Sequence, residues 1–386
     1  MKTRFLSAFL IAAALLVAMG QQAPSRRTSP RDATKSAGPS ASQAANPKFK
    51  AIWEPVNYGE DLGLTDVFFV NEQVGWVSGE KGSILHTRDG GNTWKPQLGG
   101  DPKSAGPVIS DLFFIDEKHG WAAQRQFNKL LRTTDGESWE EVGTFQFEWH
   151  DYQFTSPTNG VYVRKSQIHQ TQDGGRTWKE AFTCKAKVEV DGLSRELDCS
   201  TRSVDFTSAS VGYVISSALR NRSRAMLKTE DGGAGWSIWS FATLTGDNGY
   251  EGRLVFSDES TGFITTPGGK LFKTTDGGKT WTGVVASVGR EVRFADANVG
   301  WSMGNTFAGA AFLTYTTDGG KRWTSREFKL PAPVSAFSLP KRDRGYVVGN
   351  HGMVYRYRVV PVDCTAKGMI DAPMMRSSSA TPSAEK

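Results

Sequence analysis

Six acidic turns supply the most regular set of chemically active side chains in this chain of 386 residues. Each turn begins with an Asp and ends with a Trp. The pairs are Asp89 and Trp94, Asp135 and Trp139, Asp173 and Trp178, Asp231 and Trp236, Asp276 and Trp281, and Asp318 and Trp323. An Asp carboxylate can bind a cation, or it can accept hydrogen bonds from the backbone of its own turn. Calcium requires several oxygen ligands and each turn offers one carboxylate, so the turns are predicted to be structural.

The spacing of these turns indicates the elements that carry them. Successive turn Asp residues are separated by 38 to 58 residues. A recurring period of this size, built from short strand-like segments, is typical of the blades of a β-propeller. Carboxylates placed once per blade cannot converge on one substrate, which also argues for a structural role.

Each repeat contains four strand-like segments, the fourth starting at the turn Trp. The seventh repeat, from Val334 to Val360, has no acidic turn and so lacks its fourth strand. The segment Ala51–Val56 resembles a fourth strand, with Trp53 in the Trp position. The sequence therefore predicts an all-β fold, a seven-bladed β-propeller of four-stranded antiparallel blades over residues 48–361. Pairing of Ile52–Val56 with Met353–Arg358 would close the ring and remove a free sheet edge.

The ends of the chain predict export. Residues 1–20 have the pattern of a signal peptide, with Lys2 and Arg4 before an apolar run and a small-residue cleavage site. The residue directly after that site is Gln21 and not Cys, which argues against a lipid anchor, and no stable membrane span is expected after cleavage. Residues 21–47 form a predicted disordered linker and 362–386 a disordered tail. We expect a periplasmic or extracellular monomer, and the formal charge of +6 gives no reason to expect a nucleic acid partner.

Three cysteines follow the signal segment. Cys184 and Cys199 flank the insertion that lengthens the fourth repeat. A disulfide between them is predicted, worth ~3 kcal/mol by loop-closure entropy, and two free thiols are the alternative. Cys364 is left unpaired.

The loops that precede the first strands of the middle blades hold residues that the repeat does not explain. In a propeller these loops open on one face around the axis, so they can converge. The predicted contact residues for a partner protein are Trp149, Arg202, Tyr250, Arg253 and Arg293, with Glu148, His150 and Glu251 as their polar surround. Arg and aromatic side chains are the usual anchors of protein interfaces. An ordinary solvated rim and a catalytic cluster are the alternatives.

The repeated turn Ser/Thr-x-Asp-x-Gly-x-Thr-Trp resembles the Asp-box, or BNR repeat. The full combination is a strand ending in Phe, then Gly-Trp, then Leu-x-x-Thr-x-Asp-Gly-Gly-x-Thr-Trp. Over residues 48–360 this combination resembles the photosystem II stability/assembly factor family. The resemblance implies a non-catalytic propeller that holds a partner protein, such as a subunit of a membrane-protein complex, during assembly.

A glycan-binding or glycoside-hydrolase propeller is the alternative function, with Glu148, Asp151 or Glu251 as acid and base. The sialidase motif Phe/Tyr-Arg-x-Pro is missing, and Tyr355–Arg358 lacks the Pro. The five His residues show no metal-ligand spacing, and Gly278-Lys279-Thr280 belongs to an acidic turn rather than to a phosphate loop. No metal, no cofactor and no catalytic residue are therefore predicted.

Overall fold

The structure is a computed structural model. It describes residues 48–103, 105–144, 151–219, 223–244, 253–266 and 268–362. The predicted signal peptide 1–20, the linker 21–47, Cys364 and all but the first residue of the predicted tail 362–386 lie outside the described residues. In the part that is described, no helix has the length and apolar character needed to cross a membrane.

The described chain forms seven four-stranded antiparallel sheets, arranged as blades. The first strand in the chain is β1, Lys48–Pro55. Blade 1 contains β2 (Leu64–Phe69), β3 (Gly75–Gly79), β4 (Ile84–Thr87) and β5 (Lys95–Leu98). Blade 2 contains β6 (Ser110–Phe114), β7 (Gly120–Gln124), a 3₁₀ turn (Arg125–Phe127), β8 (Lys129–Thr133) and β9 (Glu140–Thr144). Blade 3 contains β10 (Tyr152–Phe154), β11 (Gly160–Arg164), β12 (Gln167–Thr171) and β13 (Lys179–Thr183).

The remaining blades repeat this order. A two-stranded hairpin, β14 (Lys185–Val190) and β15 (Leu193–Asp198), precedes blade 4. Blade 4 contains β16 (Thr201–Phe206), β17 (Gly212–Ala218), β18 (Ser223–Thr229) and β19 (Ser237–Thr243). Blade 5 contains β20 (Arg253–Phe256), β21 (Gly262–Thr265), β22 (Leu271–Thr274) and β23 (Thr282–Val284). Blade 6 contains β24 (Arg293–Phe294), β25 (Gly300–Asn305), β26 (Ala311–Thr316) and β27 (Thr324–Phe328). Blade 7 contains β28 (Val334–Lys341), β29 (Arg344–Gly349), β30 (Val354–Val362) and β1. The predicted seven-bladed propeller is confirmed.

The N-terminal strand closes the ring as predicted. β1 pairs antiparallel with β30, from Lys48 opposite Val362 to Pro55 opposite Tyr355, so the pairing is longer than the one predicted. Trp53 stacks on Phe328 of blade 6 with ring centroids 5.0 Å apart. This contact and the pairing tie the two ends of the described chain together.

The core lies between adjacent blades. Phe69, at the end of β2, stacks face to face on Tyr346 of blade 7, with ring centroids 3.5 Å apart. The Gly75 position is confined by this packing, because a Cβ there would lie 2.5 Å from the Phe69 ring. The same close approach of Gly to the terminal Phe recurs in the next five blades, at Gly120, Gly160, Gly212, Gly262 and Gly300. The Phe and Gly of each repeat are therefore one packing unit.

The acidic turns form local hydrogen-bond networks. Asp276 Oδ1 accepts bonds from the Thr274 hydroxyl (2.7 Å) and the Thr280 backbone N–H (2.9 Å), and Oδ2 accepts the Thr280 hydroxyl (2.6 Å). Burial opposes ionisation, but these donors outweigh it and lower the pKa of Asp276 to about 2. Trp281 donates its indole N–H to Gly278 O at 3.1 Å. In this turn every acceptor atom of the carboxylate is used to fold the turn itself.

The insertion before blade 4 is a hairpin held by a covalent link. The structure joins Cys184 to Cys199, with Cα atoms 5.3 Å apart. Ala186 and Val188 of β14 are buried against the core shared by blades 3 and 4. The hairpin therefore packs on the blades by one face.

Candidate functional site: the central channel

The innermost strand of each blade carries two kinds of side chain in alternation. In β2, Val67 and Phe69 are buried in the core shared with blade 7, whereas Asp66 and Phe68 lie on the other face of the strand, towards blade 2. The residues three positions before the end of the innermost strand motif are Asp66, Asp111, Asp151, Ser203, Arg253, Glu291 and Ala336. Six of these seven positions are polar or charged, and Arg253 interacts electrostatically with Asp66, Asp111, Asp151 and Glu291 of other blades, so these positions meet around the propeller axis.

Asp66 and Asp205 each connect an inner strand to the next blade. Asp66 Oδ2 accepts the Leu112 backbone N–H of blade 2 at 2.7 Å. Asp205 Oδ2 accepts the Phe256 N–H of blade 5 at 2.6 Å. These bonds satisfy backbone donors on the free edges of inner strands, which have no neighbouring strand inside the channel. These carboxyls therefore link adjacent blades by hydrogen bonds.

Two of these carboxyls hold their protons unusually strongly. Burial raises the pKa of Asp66 to about 7, and the nearby Asp111 adds to the rise while Arg293 opposes it. Burial also raises the pKa of Asp205 to about 8. Each receives few hydrogen-bond donors for its degree of enclosure, so its charged form is poorly compensated.

Asp111 sits at the equivalent position of blade 2 but is ionised. Burial favours its protonated form, yet Arg125 forms a two-point contact with it, Nε to Oδ2 at 2.5 Å and Nη2 to Oδ1 at 2.8 Å, and lowers its pKa. The Asp111 backbone has a positive φ of 58°, at the bulge between Ser110 and Leu112. Neighbouring blades therefore present the same residue type with pKa values shifted in opposite directions.

Two arginines of adjacent blades enter the same channel with donors to spare. Arg253 of blade 5 lies 3.5 Å from Asp151 Oδ1 of blade 3, with 43% of its side chain exposed. Its charge is stabilised first by Asp151 and then by Glu291, which raises the pKa of Arg253. Protein atoms surround most of the Arg253 guanidinium, and the rest of it is open to solvent. This combination is expected for a side chain in the wall of a solvent-accessible channel.

Arg293 of blade 6 completes the pair. It donates a hydrogen bond through Nε to Glu291 Oε1 at 3.1 Å and lies over the Phe337 ring at 5.9 Å. Arg253 and Arg293 repel each other electrostatically, which shows that they lie in mutual range. Within the described part of the chain, Arg253 makes no hydrogen bond and Arg293 makes only this one, so both present most of their guanidinium donors to the channel.

The structure brings together part of the predicted contact set. Arg253 and Arg293 lie in the channel, in the same electrostatic cluster as Glu291 and Asp151. Arg202 is half-buried at the bulge of β16, between Thr201 and Ser203. Five predicted residues lie outside the described residues: Trp149, Tyr250, Glu148, His150 and Glu251. The predicted role of the set in binding a partner stays a prediction.

Sequence reasoning missed the acidic half of this site. Asp66, Asp111, Asp205 and Arg125 were not singled out, although three of them stand beside the repeated Phe. A signal was available for Asp66 and Asp111, because a polar or charged residue recurs three positions before the strand-ending Phe. Arg125 carried no such signal, because it reaches the channel from the 3₁₀ turn after β7.

The arrangement favours recognition over acid–base catalysis. Ser203 donates its hydroxyl to Asp151 Oδ2 at 2.8 Å, and Asp111 is engaged by Arg125. Asp66 and Asp205 carry blade-to-blade bonds. Within the described ranges no group of three or more His, Cys, Asp or Glu side chains is placed to hold a metal ion. Among the described residues of the channel, Arg253 and Arg293 have donors still open to a ligand.

Comparisons with known proteins give one family match and several similar structures. Residues 45–143 match the model of the family described as photosynthesis system II assembly factor YCF48, which confirms the resemblance predicted from the repeats. The structure "YCF48 bound to D1 peptide" is similar at 20% identity and a TM-score of 0.56, covering 79% of this chain and 96% of that one. YCF48 from Cyanidioschyzon merolae is similar at 21% identity and a TM-score of 0.55, covering 79% and 98%.

Propellers with other activities are also similar. The GH74 xyloglucanase from Xanthomonas campestris shares 16% identity at a TM-score of 0.53, and the match covers 79% of this chain and 53% of the xyloglucanase. These identities show the fold alone. A comparison with curated protein sequences gives no match.

Proposed function

We propose that this chain is a non-catalytic, exported propeller that binds an extended segment of a partner protein at the channel, through a carboxylate of that segment. The observation that carries the proposal is the pair of guanidinium groups, Arg253 and Arg293, with unfilled donors in an enclosed but wet site. An Arg fork binds a carboxylate through two parallel hydrogen bonds, and low local polarity strengthens them.

The match of residues 45–143 to the YCF48 family model supports a partner that is a protein. One similar structure is titled as YCF48 with a bound D1 peptide, which supports a peptide segment as the form of the ligand. A subunit of a membrane-protein complex in the cell envelope fits both lines of support. The disulfide between Cys184 and Cys199 supports export, because such bonds persist in oxidising compartments.

The test uses paired peptides that differ only at the C terminus. Labelled peptides of about ten residues, copied from the C termini of envelope proteins of the same organism, would be offered as free acids and as amides. We expect the free acids among them to bind in a fluorescence anisotropy titration, and amidation to abolish the signal. Binding of both forms with equal affinity would refute carboxylate recognition.

Variants locate the binding to the channel. Arg253→Lys keeps the charge but loses the two-point fork, and should weaken binding about tenfold. Arg342→Lys is the matched control, since Arg342 makes an ion pair with Asp296 on the exposed surface, with 60% of its side chain open to water. Unchanged binding by the Arg253 variant, or equal losses in both variants, would remove the channel from the proposal.

The glycan-active alternative has weaker support. A hydrolase needs two carboxyls that face one cleft and remain free to exchange protons. Of the three residues suggested for that role, Asp151 is engaged by Ser203 and Arg253, and Glu148 and Glu251 lie outside the described residues. The chain spans about half the length of the xyloglucanase it resembles. We therefore place protein binding first.

A further inference from the structure

A second surface groove lies on the outer rim, between β23 of blade 5 and the acidic turn of blade 6. It is a shallow cavity of about 790 Å³. The residues that define it are Lys273, Val284, Val285, Lys321, Arg322 and Trp323. β23 has only three residues, and Val285 beyond it is fully exposed. The groove lies far from the channel, because it borders β23, the outermost strand of blade 5, whereas the innermost strands surround the channel.

The equivalent groove between blades 4 and 5 is occupied by a side chain of the protein itself. Trp239 of β19 lies between blades 4 and 5 and donates its indole N–H to Gly277 O at 2.9 Å. Lys228 Nζ and Lys279 Nζ stand 4.7 and 4.9 Å from the centroid of the Trp239 ring. The ring is thus held by a backbone carbonyl and by two cations, an arrangement that stabilises an aromatic side chain.

The repeat allows the two grooves to be compared position by position. Counted from the turns, Lys273 corresponds to Lys228 and Lys321 to Lys279. Trp239 is the extra residue of a bulge in β19, whereas β23 pairs with β22 without a bulge. The cations that hold a ring in one groove therefore recur in the other, but β23 has no residue at the place of the indole.

The surrounding contacts agree with this difference. Lys273 Nζ donates to Gly319 O at 2.7 Å, the carbonyl equivalent to the one that Trp239 uses in blade 5. Trp281 donates its indole N–H to Gly278 O, whereas the buried Trp323 Nε1 has no acceptor among the described residues. The blade 5–6 groove is therefore less completely packed and less completely hydrogen-bonded than the blade 4–5 groove.

We propose that the blade 5–6 groove binds an aromatic side chain of an acidic, extended segment of a partner protein, laid along β23. The aromatic ring takes the place that Trp239 occupies one blade earlier, between Lys273 and Lys321. Acidic neighbours in the segment complement Lys273, Lys321 and Arg322, of which only Arg322 has a carboxylate partner, Asp318. The extended form follows from the exposed edge of β23.

The occupant belongs to another molecule. Residues 21–47 and 363–386 are the chain's own segments next to the propeller, and neither contains Phe, Tyr or Trp. A second copy of the chain could offer an exposed ring, such as Phe307. The acidic requirement favours a different protein, because this chain carries a net positive charge.

The probe is a labelled peptide of about eight residues in which Glu alternates with Ser around a single central Trp. We expect saturable binding to the full chain by fluorescence anisotropy. Replacing the peptide Trp by Ala, or each Glu by Lys, should abolish it. In a ¹H–¹⁵N spectrum the indole N–H signal of Trp323 should shift on binding, and that of Trp281 should not.

Matched variants separate this groove from its neighbour and from the channel. Lys321→Glu should weaken probe binding about tenfold. Lys279→Glu changes the same turn position beside the filled groove and should leave binding intact, as should Arg253→Lys in the channel.

Three results would overturn the proposal. One is the lack of saturable binding up to about 1 mM probe. Another is an equal loss in the Lys279 and Lys321 variants. The third is self-association of the full chain in sedimentation that Lys321→Glu abolishes, because the occupant would then be a second copy.

Discussion

Carboxylates recur along the repeat in two regions of this propeller, the acidic turns at the rim and the inner strands at the channel, and their pKa values shift in opposite directions in Asp276 and Asp205. At the rim, Asp276 accepts three hydrogen bonds within its own turn, and its pKa falls to about 2. In the channel, Asp205 accepts a backbone N–H from the next blade, and burial raises its pKa to about 8. The residue type is the same, so the number of donors relative to enclosure decides the charge.

The comparison also separates two uses of a repeated residue. The turn network is complete within a few residues of sequence, so each turn folds independently of the other blades. A channel carboxyl has its partners in other blades, so its state depends on the closed ring. The turns therefore stabilise each blade locally, whereas the channel carboxyls depend on the neighbouring blades.

The largest expected effect is loss of a turn network. Asp276→Ala removes the acceptor of three donors and should lower the free energy of unfolding by about 1–2 kcal/mol in urea denaturation. Asp231→Ala should cost less, because Gly235 stands where Thr280 stands and supplies a backbone donor but no hydroxyl. Equal losses, or altered peptide binding by the folded Asp276 variant, would contradict a purely structural turn.

The second effect is a pH dependence of opposite sign in the two regions. The folded pKa of Asp66 and Asp205, about 7 and about 8, lies above the ordinary value of 3.8. The folded state binds more protons than the unfolded state over that interval, so their contribution to stability falls as pH rises from about 4 and levels off above about 8. Asp276 acts in the other direction, since its stabilisation is present above pH 4 and is lost as the pH falls towards 2.

A double variant tests the part of the pH dependence that we assign to the channel carboxyls. Asp66→Asn with Asp205→Asn keeps an oxygen acceptor for the neighbouring blade and removes the ionisation. Urea denaturation between pH 4 and 9 should show a flatter profile than the parent on the alkaline side, with the acid limb unchanged. A profile that keeps the parental slope above pH 4 would show that these carboxyls ionise normally.

The smallest expected effect is a gain in stability from a substitution in the acidic turn of blade 4. Gly235→Thr restores the hydroxyl that Asp276 receives from Thr280 and should raise the free energy of unfolding by about 0.5–1 kcal/mol. A Cβ at this position would lie 3.0 Å from Asp231 Oδ2, so the carboxylate must yield by a few tenths of an ångström. A loss of stability would mean that the turn of blade 4 cannot make this adjustment.

Much of the fold could be predicted from the sequence, because its information is local. The acidic turn, the strand-ending Phe and the Gly after it are all complete within one repeat. Even the long-range closure was visible, since Trp53 copies the position of a turn Trp and β1 pairs with β30 as expected. The predicted start of each fourth strand at the turn Trp differs slightly, as β23 begins one residue later, at Thr282.

The site was predicted only in part. Arg253 and Arg293 were found because loops of known type preceded them. Asp66 and Asp205 were not singled out, because their hydrogen-bond partners lie in other blades and are not visible from the pattern along one strand. The groove between blades 5 and 6 was missed as well, since it depends on a valine facing a turn of the next blade.

The sequence by itself determined the repeat, and with it the blade count, the turn chemistry and the closure. These follow from contacts between residues that are near in the chain or that occupy copied positions in the period. Only the tertiary structure decided which charges meet. Arg253 interacts with Asp151, Glu291, Asp111 and Asp66 from four other blades, because closing the ring brings all inner strands around one axis, and electrostatic energy depends on distance through space rather than on separation along the chain.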